Sequence, residues 1–280
     1  MKKGLQKIIF FKQKTKKMKS IIIATATMFI FFSANAQKLE SFIENGKTGF
    51  RESKTKTVVI SPIYDNTYPS FEEGLAAVRK NGKMGYIDTK GNVVIDIKYE
   101  TTYSISNSLA AVELNGKWGF LNLKGKPITD FKYEGTNGFS ESLVQVKYNG
   151  KWGFMDPGGK EVIAPKYEDS NSFRDGLSSV KLNGKWGCID KSGAVVIPIK
   201  YEQSIFFGED ENNTKVEVNG KFGVIDRTGK ELIPIKYDDI QGRGGENWYA
   251  QLKGKWGMVN TSGEVVVPFK YKSLREVYDL

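Results

Sequence analysis

The sequence contains no histidine and only one cysteine, Cys188, among its 280 residues. These absences exclude histidine-based acid–base catalysis, a Cys-His nucleophile and the ordinary zinc sites, because each depends on imidazole or on several thiolates. A single cysteine also permits no internal disulfide, so the fold depends on packing. Cys188 is therefore predicted to be a small buried hydrophobic residue.

Outside the first 36 residues, basic and acidic side chains are nearly equal in number. The formal net charge is +10, but residues 1–36 hold eight lysines and no acid. Removing these eight from the 42 basic residues leaves 34 against 32 acidic ones. Nucleic acid is therefore not expected as a partner.

The segment 1–36 is typical of a secretory signal peptide. A lysine-rich start is followed by the apolar run Ile21 to Phe32 and by Ser-Ala-Asn-Ala, which ends at Ala36. The run is well below the ~20 residues that a transmembrane helix needs, so no stable anchor is expected after cleavage. We expect cleavage after Ala36 and a translation start at Met18. The mature chain is then expected in the periplasm, on the outer surface or outside the cell.

A motif of about 34 residues fills the rest of the chain. Its centre, Asn-Gly-Lys-x-Gly, recurs at intervals of 34 or 36 residues and returns once as Lys-Gly-Lys-Trp-Gly. A short segment, 37–44, leads into seven repeats that cover 45–280. The repeats begin near Asn45, Asn81, Asn115, Asn149, Asn183, Asn219 and Lys253.

Each repeat has the pattern of a three-stranded β-meander. Two glycine-containing turns interrupt it, so the paired helices of other 34-residue repeats do not fit. In the fourth repeat, Asn149-Gly150 predicts a type I′ hairpin turn and Asp156 to Gly159 predicts a second turn. The first turn sets a register in which Tyr148 faces Lys151, Lys147 faces Trp152, Val146 faces Gly153, Gln145 faces Phe154 and Val144 faces Met155.

Both faces of this hairpin carry apolar side chains, so neighbouring repeats are expected to cover each other. Gly153 has no side chain, and it is expected to let a neighbouring ring or backbone come close. We predict an all-β fold in which the meanders stack into an open, twisted, solenoid-like array. The alternative is a closed propeller of seven blades. Three strands per unit and degenerate end units argue against that closure.

The segments NGKWGFMDPGGKEVIAPKYE, NGKWGCIDKSGAVVIPIKYE and GKWGMVNTSGEVVVPFKYK closely resemble the bacterial WG (KWG) repeat family. The resemblance covers about residues 45–280 and implies an exported or envelope-associated repeat protein. It supplies no catalytic residues. The aromatic position departs from tryptophan at Thr48, Met84 and Phe222, and the last tyrosine-acid pair ends in Lys272.

The tryptophans are the candidate ligand contacts. They could form an aromatic ladder for sugar rings, but Met84 and Phe222 occupy the same slot, which favours a structural role in the core. Trp248 lies outside the repeat register and is a somewhat better candidate for exposure than the others, although a structural role is favoured for it as well. The candidate contacts are Trp118, Trp152, Trp186, Trp256 and Trp248.

A tyrosine-acid pair ends most repeats. We expect the tyrosine to pack between units and the acid to cap the following turn. Each Asp-x-x-Gly turn supplies one carboxylate, whereas calcium takes about six to eight oxygens, so no metal is expected. The pairs are Tyr64-Asp65, Tyr99-Glu100, Tyr133-Glu134, Tyr167-Glu168, Tyr201-Glu202 and Tyr237-Asp238.

These observations predict an exported, non-enzymatic interaction module that acts through the variable loops after each tyrosine-acid pair. Its partner would be an envelope or extracellular protein, or a polysaccharide. A glycan-binding or adhesin-like module using aromatic faces is the alternative. A hydrolase with paired carboxylates is the least favoured class. No catalytic residue and no cofactor are predicted.

Overall fold

The computed structural model describes residues 38–65, 69–209, 211–242 and 245–280. In these ranges the chain forms seven consecutive antiparallel sheets and one short helix, α1 (Leu274–Tyr278). The expected signal peptide lies outside the described residues. Within the described ranges, no helix has the length and hydropathy needed to cross a bilayer.

The sheets are numbered in chain order, one for each repeat. Sheet one holds β1 (Leu39–Glu44), β2 (Lys47–Glu52) and β3 (Val58–Asp65). Sheet two holds β4 (Phe71–Glu72), β5 (Leu75–Lys80), β6 (Lys83–Asp88) and β7 (Val93–Tyr99), and sheet three holds β8 (Leu109–Leu114) and β9 (Lys117–Asn122). Sheet four holds β10 (Gly135–Ser140), β11 (Leu143–Tyr148), β12 (Lys151–Met155) and β13 (Glu161–Tyr167).

The remaining sheets follow the same order. Sheet five holds β14 (Asp169–Ser170), β15 (Ser178–Leu182), β16 (Lys185–Ile189) and β17 (Val195–Tyr201). Sheet six holds β18 (Asn213–Val218), β19 (Lys221–Asp226) and β20 (Glu231–Tyr237). Sheet seven holds β21 (Asp239–Gln241), β22 (Asn247–Leu252), β23 (Lys255–Asn260) and β24 (Val265–Tyr271).

The central hairpin turns at an Asn-Gly pair in six sheets and at Lys253-Gly254 in sheet seven. In sheet four, Asn149 and Gly150 have φ of 49° and 74°, the positive values that a type I′ turn requires. The predicted register of this hairpin is confirmed at every pair. The asparagine or lysine at the first turn position has the same positive φ in all seven repeats: Asn45, Asn81, Asn115, Asn149, Asn183, Asn219 and Lys253.

A short fourth strand extends four of the sheets, where the sequence predicts only a polar loop. In sheet four, β10 joins β11 through Glu141 and Ser142, whose φ values are 50° and 67°. This turn is also of the two-residue kind, but Glu-Ser carries no Asn-Gly signature. The predicted three-stranded meander is confirmed in sheets one and six. Four sheets have one strand more than predicted. The added strands are β4, β10, β14 and β21. Sheet three has one strand fewer, because the segment after β9 pairs with it only through the isolated bridges Trp118–Tyr133 and Leu121–Pro127.

The last strand of the repeat bulges around the glycine that follows the aromatic position. Trp152 pairs with Tyr167 but Phe154 pairs with Ile163, so β13 contains two extra residues over this interval. A Cβ on Gly153 would lie 2.4 Å from the carbonyl oxygen of Ile163. The expected close approach is confirmed, and the approaching group is the backbone of the same unit rather than of a neighbour.

The hydrophobic core lies between the sheets. Six clusters of buried side chains each combine residues from two consecutive sheets. Between sheets four and five, Phe154 and Tyr167 pack with Val180 and Ile189. The expectation that neighbouring units cover each other is therefore confirmed. The tyrosine of each pair packs in these clusters as predicted: Tyr64, Tyr99, Tyr133, Tyr167, Tyr201 and Tyr237.

The two ends of the array depart from the repeated pattern, sheet one through its side chains and sheet seven through an added helix. In sheet one, Phe42 and Arg51 occupy the positions that hold small or aliphatic core residues in the other sheets, and Arg51 Nε donates to Glu40 at 2.7 Å. At the far end, α1 packs on β23 and β24, burying Val277 and placing the Tyr278 ring 4.3 Å from that of Tyr249. Among the described residues, no core cluster joins sheets one and seven. The predicted array of consecutive β-sheets is confirmed.

Candidate functional site

Two of the repeat tryptophans are buried in the array. Trp118 is 8% exposed and stacks on Tyr103, with ring centroids 4.8 Å apart and planes 15° from parallel. Trp256 is 9% exposed. A sugar-stacking ring needs an open face, and neither of these rings has one.

Trp152 and Trp186 are half-buried. The ammonium group of Lys147 lies 5.6 Å from the Trp152 ring centroid, and that of Lys181 lies 5.9 Å from the Trp186 ring. These contacts have the geometry of cation–π interactions. A cross-strand lysine therefore covers part of each ring, because the type I′ hairpin places it directly opposite.

Trp248 is buried, which agrees with the structural role favoured for it and not with the exposure considered for its irregular segment. Its side chain is 2% exposed and belongs to the core between sheets six and seven. Its indole Nε1 donates to the carbonyl oxygen of Gly245 at 3.1 Å. A Cβ on Gly242 would lie 2.8 Å from the ring. The glycines around this tryptophan thus allow close packing, a role that Gly-rich composition alone does not reveal.

The acid of each tyrosine-acid pair joins two repeats. Glu168 follows sheet four and accepts hydrogen bonds from the backbone N–H groups of Asn183 (3.1 Å) and Gly184 (2.9 Å), which form the hairpin turn of sheet five. The predicted capping of the following turn is therefore confirmed. The equivalent pairs are Asp65 with Gly82, Glu100 with Asn115, Glu134 with Gly150, Glu202 with Asn219 and Asp238 with Gly254.

The same carboxylates bind a lysine of their own repeat. Lys221 Nζ lies 2.6 Å from Asp238 Oδ1, and equivalent pairs form in the five preceding repeats. The lysine hydrogen bond is the main reason why the pKa of four of these carboxyls is below its usual range. They are Asp65, Glu100, Glu202 and Asp238.

A second set of contacts links the opposite ends of the sheets. Glu141, in the turn between β10 and β11, accepts a hydrogen bond from Gly176 N at 3.1 Å and pairs with Lys191 at 2.9 Å, both in sheet five. Glu73 likewise accepts from Ser108 N at 3.1 Å. Sheets joined at both ends and through their cores have little freedom to move separately.

The Asp-x-x-Gly carboxylates are used within their own turns. Asp190 Oδ1 accepts from Ser192 N and Ala194 N, and its pKa is lowered chiefly by a hydrogen bond from the Ser192 side chain. The turn role predicted for this motif is confirmed. Among the described residues, no group of three or more acids or cysteines has the geometry of a metal site.

A cleft of about 310 Å³ opens between sheets five and six. Arg174, Phe206, Phe207 and Arg227 line it, and none of them was predicted as a site residue. The sequence does contain a signal, since the interval from Asn183 to Asn219 is 36 residues instead of 34. The longer loop carries the two phenylalanines.

Cys188 lies at the floor of this cleft and is 2% exposed. Burial raises the pKa of its thiol to about 12. Cys188 occupies the slot that Phe154 fills in sheet four. The predicted role as a small buried hydrophobic residue is therefore confirmed.

Comparison with known families gives matches along most of the chain. The model of a family described as "WG containing repeat" matches seven segments: 53–83, 84–118, 118–152, 152–186, 186–222, 222–242 and 256–279. No curated protein sequence matches the chain.

Solved structures resemble this chain only weakly. Kluyveromyces lactis Hsv2 is 9% identical, with a TM-score of 0.39, covering 79% of this chain and 89% of that one. A Kluyveromyces marxianus Hsv2 structure is 11% identical, with a TM-score of 0.38 and coverage of 79% and 89%. A structure described as a eukaryotic initiation factor is 12% identical, with a TM-score of 0.34 and coverage of 85% and 86%. Likeness at this level carries no functional argument.

Proposed function

This chain belongs to the WG-containing repeat family, and on that premise we propose that it is an exported, non-enzymatic scaffold. Its partner is a protein or a polymer at the cell envelope. The proposal rests on one observation: the side chains that recur in every repeat make contacts within the array itself. The tyrosines fill the cores between sheets, and the acids cap the next turn. The residues left for a partner are the ones that differ between repeats.

Export is supported by the composition of the first 36 residues. A lysine-rich start, an apolar run and a small-residue ending at Ala36 are the three parts of a secretory signal. The absence of disulfides is compatible with an exported chain, because continuous cores between sheets provide its stability.

A scaffold role without catalysis is supported by the chemistry of the side chains. The sequence has no histidine, and its one thiol is buried with a raised pKa. The carboxylates with lowered pKa values bind lysines and turn N–H groups, which is a structural use. None of these groups resembles a nucleophile beside a base.

The glycan alternative receives less support from the aromatic rings. Trp118, Trp248 and Trp256 are buried, so only Trp152 and Trp186 remain partly open. Two rings partly covered by lysines make a poor ladder. Binding through the loops of successive sheets therefore agrees better with the exposed surface.

The export proposal is tested by expressing the full chain with a C-terminal tag and fractionating the cells. We expect the tagged chain outside the cytoplasm, with Gln37 at its N-terminus by mass spectrometry. An uncleaved chain confined to the cytoplasm would refute export.

The binding proposal is tested with a photo-cross-linking residue in place of Tyr103, which lies in a variable loop and is 41% exposed. The matched control places it at Lys160, an exposed position in a repeated turn. We expect a discrete adduct with envelope material only from the loop position. The proposal fails if both positions give the same adducts, or if neither gives any.

A further inference from the structure

The cleft between sheets five and six exists because one core slot holds a small side chain. In sheet four this slot holds Phe154, whose ring packs on Phe173 of the next unit at 4.7 Å. In sheet five the same slot holds Cys188, whose side chain is much smaller than a phenylalanine ring. The floor that remains is apolar and includes Leu177, Ile205 and Phe207. At about 310 Å³ the cavity is near the lower end of small-molecule sites, ~300 Å³.

Two arginines lie at the mouth of this apolar cavity. The whole sequence has only six arginines, so two at one cleft are a local departure from a lysine-rich chain. Arg174 lies in the turn before β15, where sheet four has Ser140, and Arg227 lies in a turn where sheet five has Lys191. Neither arginine belongs to the repeated pattern.

Each guanidinium group lies against a phenylalanine of the longer loop. Arg174 Cζ is 5.4 Å from the Phe206 ring centroid, and Arg227 Cζ is 4.9 Å from that of Phe207. Phe206 is 59% exposed, which leaves a large apolar surface open to solvent beside two cations. A planar guanidinium supported by a ring presents paired N–H donors, a geometry suited to carboxylate recognition.

The present partners of both arginines are easily replaced. Arg174 pairs with Glu209 at 3.0 Å, and Arg227 pairs with Asp175 at 3.2 Å. The side chains of these acids are 88% and 59% exposed. Exposed ion pairs contribute little stability, so a ligand carboxylate can displace either acid at small cost.

Two polar side chains that line the cleft already have hydrogen-bond partners within the chain. Asn171 Nδ2 donates to Ser204 Oγ at 2.8 Å, and Ser172 Oγ donates to Gln145 Oε1 at 2.9 Å. A sugar would need several free donors and acceptors for its hydroxyl groups. An apolar body with one anionic group matches this lining better.

We propose that the cleft between sheets five and six binds a carboxylate attached to an apolar group, as in the C-terminal residue of a peptide that ends in phenylalanine or leucine. The apolar group enters the cavity above Leu177 and Phe207, and the carboxylate binds the guanidinium groups of Arg174 and Arg227. This proposal does not depend on export or on an envelope partner. Ligand binding to the cleft is measured on the purified chain, so it can fail while the proposed function stands, and the reverse.

The test uses N-acetyl-L-phenylalanine and its neutral analogue N-acetyl-L-phenylalaninamide, titrated into the purified full chain and followed by calorimetry. We expect saturable binding of the acid with a Kd of about 1 mM or tighter, which is reasonable for a ligand of this size. The amide should bind at least tenfold more weakly. Equal affinities, or no saturable binding of the acid, would overturn the proposal. So would binding of a methyl glycoside in place of the acid.

Arg174→Gln and Arg227→Gln should each weaken binding of the acid by about tenfold while leaving the amide unchanged. Arg227 also donates to the carbonyl oxygen of Glu211, so Arg174→Gln is the cleaner variant for excluding a loop rearrangement. The matched control is Arg51→Gln. Arg51 has the same kind of environment in sheet one, 5.3 Å from the Phe42 ring centroid and paired with Glu40. Equal losses in the control and in the cleft variants would contradict the assignment.

Discussion

Glu168 accepts a hydrogen bond from the backbone N–H of Gly184 at 2.9 Å, across the boundary between sheets four and five. An exposed Asn-Gly turn has backbone donors that face solvent, and here a side chain from the preceding repeat binds them. After Tyr271 the acid is replaced by Lys272, and the chain continues into α1 instead of another hairpin.

Glu168→Ala should lower the free energy of unfolding by about 1 kcal/mol, because two turn N–H groups lose their protein acceptor and return to water. The control is Lys272→Ala, which changes the equivalent position where no turn follows and should stay within ~0.5 kcal/mol of the wild type. Urea denaturation measures both. Equal destabilisation by the two variants would show that Glu168 does not act through the turn.

Stability should fall in acid through the carboxyls that join the repeats. The pKa of Asp65, Glu100, Glu202 and Asp238 is lowered in the folded chain, chiefly by lysine hydrogen bonds. A lowered pKa stabilises the fold above the unfolded-state value near ~4, and that contribution is lost as pH falls through the folded-state value.

The urea concentration at the midpoint of unfolding should therefore be constant near neutral pH and should decrease below about pH 4.5. In the double variant Glu100→Gln and Glu202→Gln, the decline should be shallower. Glu246→Gln, which alters an exposed carboxyl outside these contacts, should leave the profile unchanged. An acid profile that is identical in all three proteins would count against this account.

Gly153→Ala should destabilise the chain by roughly 3 kcal/mol or more, because the new Cβ would overlap backbone atoms that cannot move independently of the bulge. Its nearest atom would be the carbonyl oxygen of Ile163 at 2.4 Å. Gly138→Ala is the matched control, since a Cβ there meets no atom within 4 Å. Thermal and urea denaturation distinguish the two. A mild effect at Gly153 would mean that the bulge can relax.

Val277→Ala should lower the free energy of unfolding by about 1 to 2 kcal/mol, because two buried methyl groups of α1 leave the end of sheet seven. The control is Val266→Ala, at a valine that is 49% exposed, where a change within ~0.5 kcal/mol is expected. Gel filtration would also detect association of chains through the loosened end. Equal stability of both variants would mean that α1 adds nothing to the array.

The turns and the hairpin register could be predicted because they are local properties. Asn149-Gly150 needs positive φ at both residues, and a two-residue turn leaves one register for the strands on either side. The roles of Tyr167 and Glu168 could also be predicted, because a pair that recurs with the repeat has the same neighbours each time.

The cleft could not be predicted in this way, because it depends on residues that do not repeat. Cys188 can be recognised as a small residue in an aromatic slot, but whether the space is filled or left open depends on where the longer loop places Phe206 and Phe207. At Trp248 the space between the sheets is filled instead of left open. An irregular, glycine-containing segment folds closely over its ring and buries it.

The sequence by itself determined the all-β repeat, its turns and the order of its units, because these depend on backbone conformations that neighbouring residues impose. Only the tertiary structure decided what Gly153 makes room for, which tryptophans are buried and where a cleft remains open. Each of these outcomes is a matter of volume between elements that lie apart in the chain. These volumes are set by close packing between side chains of different repeats, so one repeat alone does not reveal them.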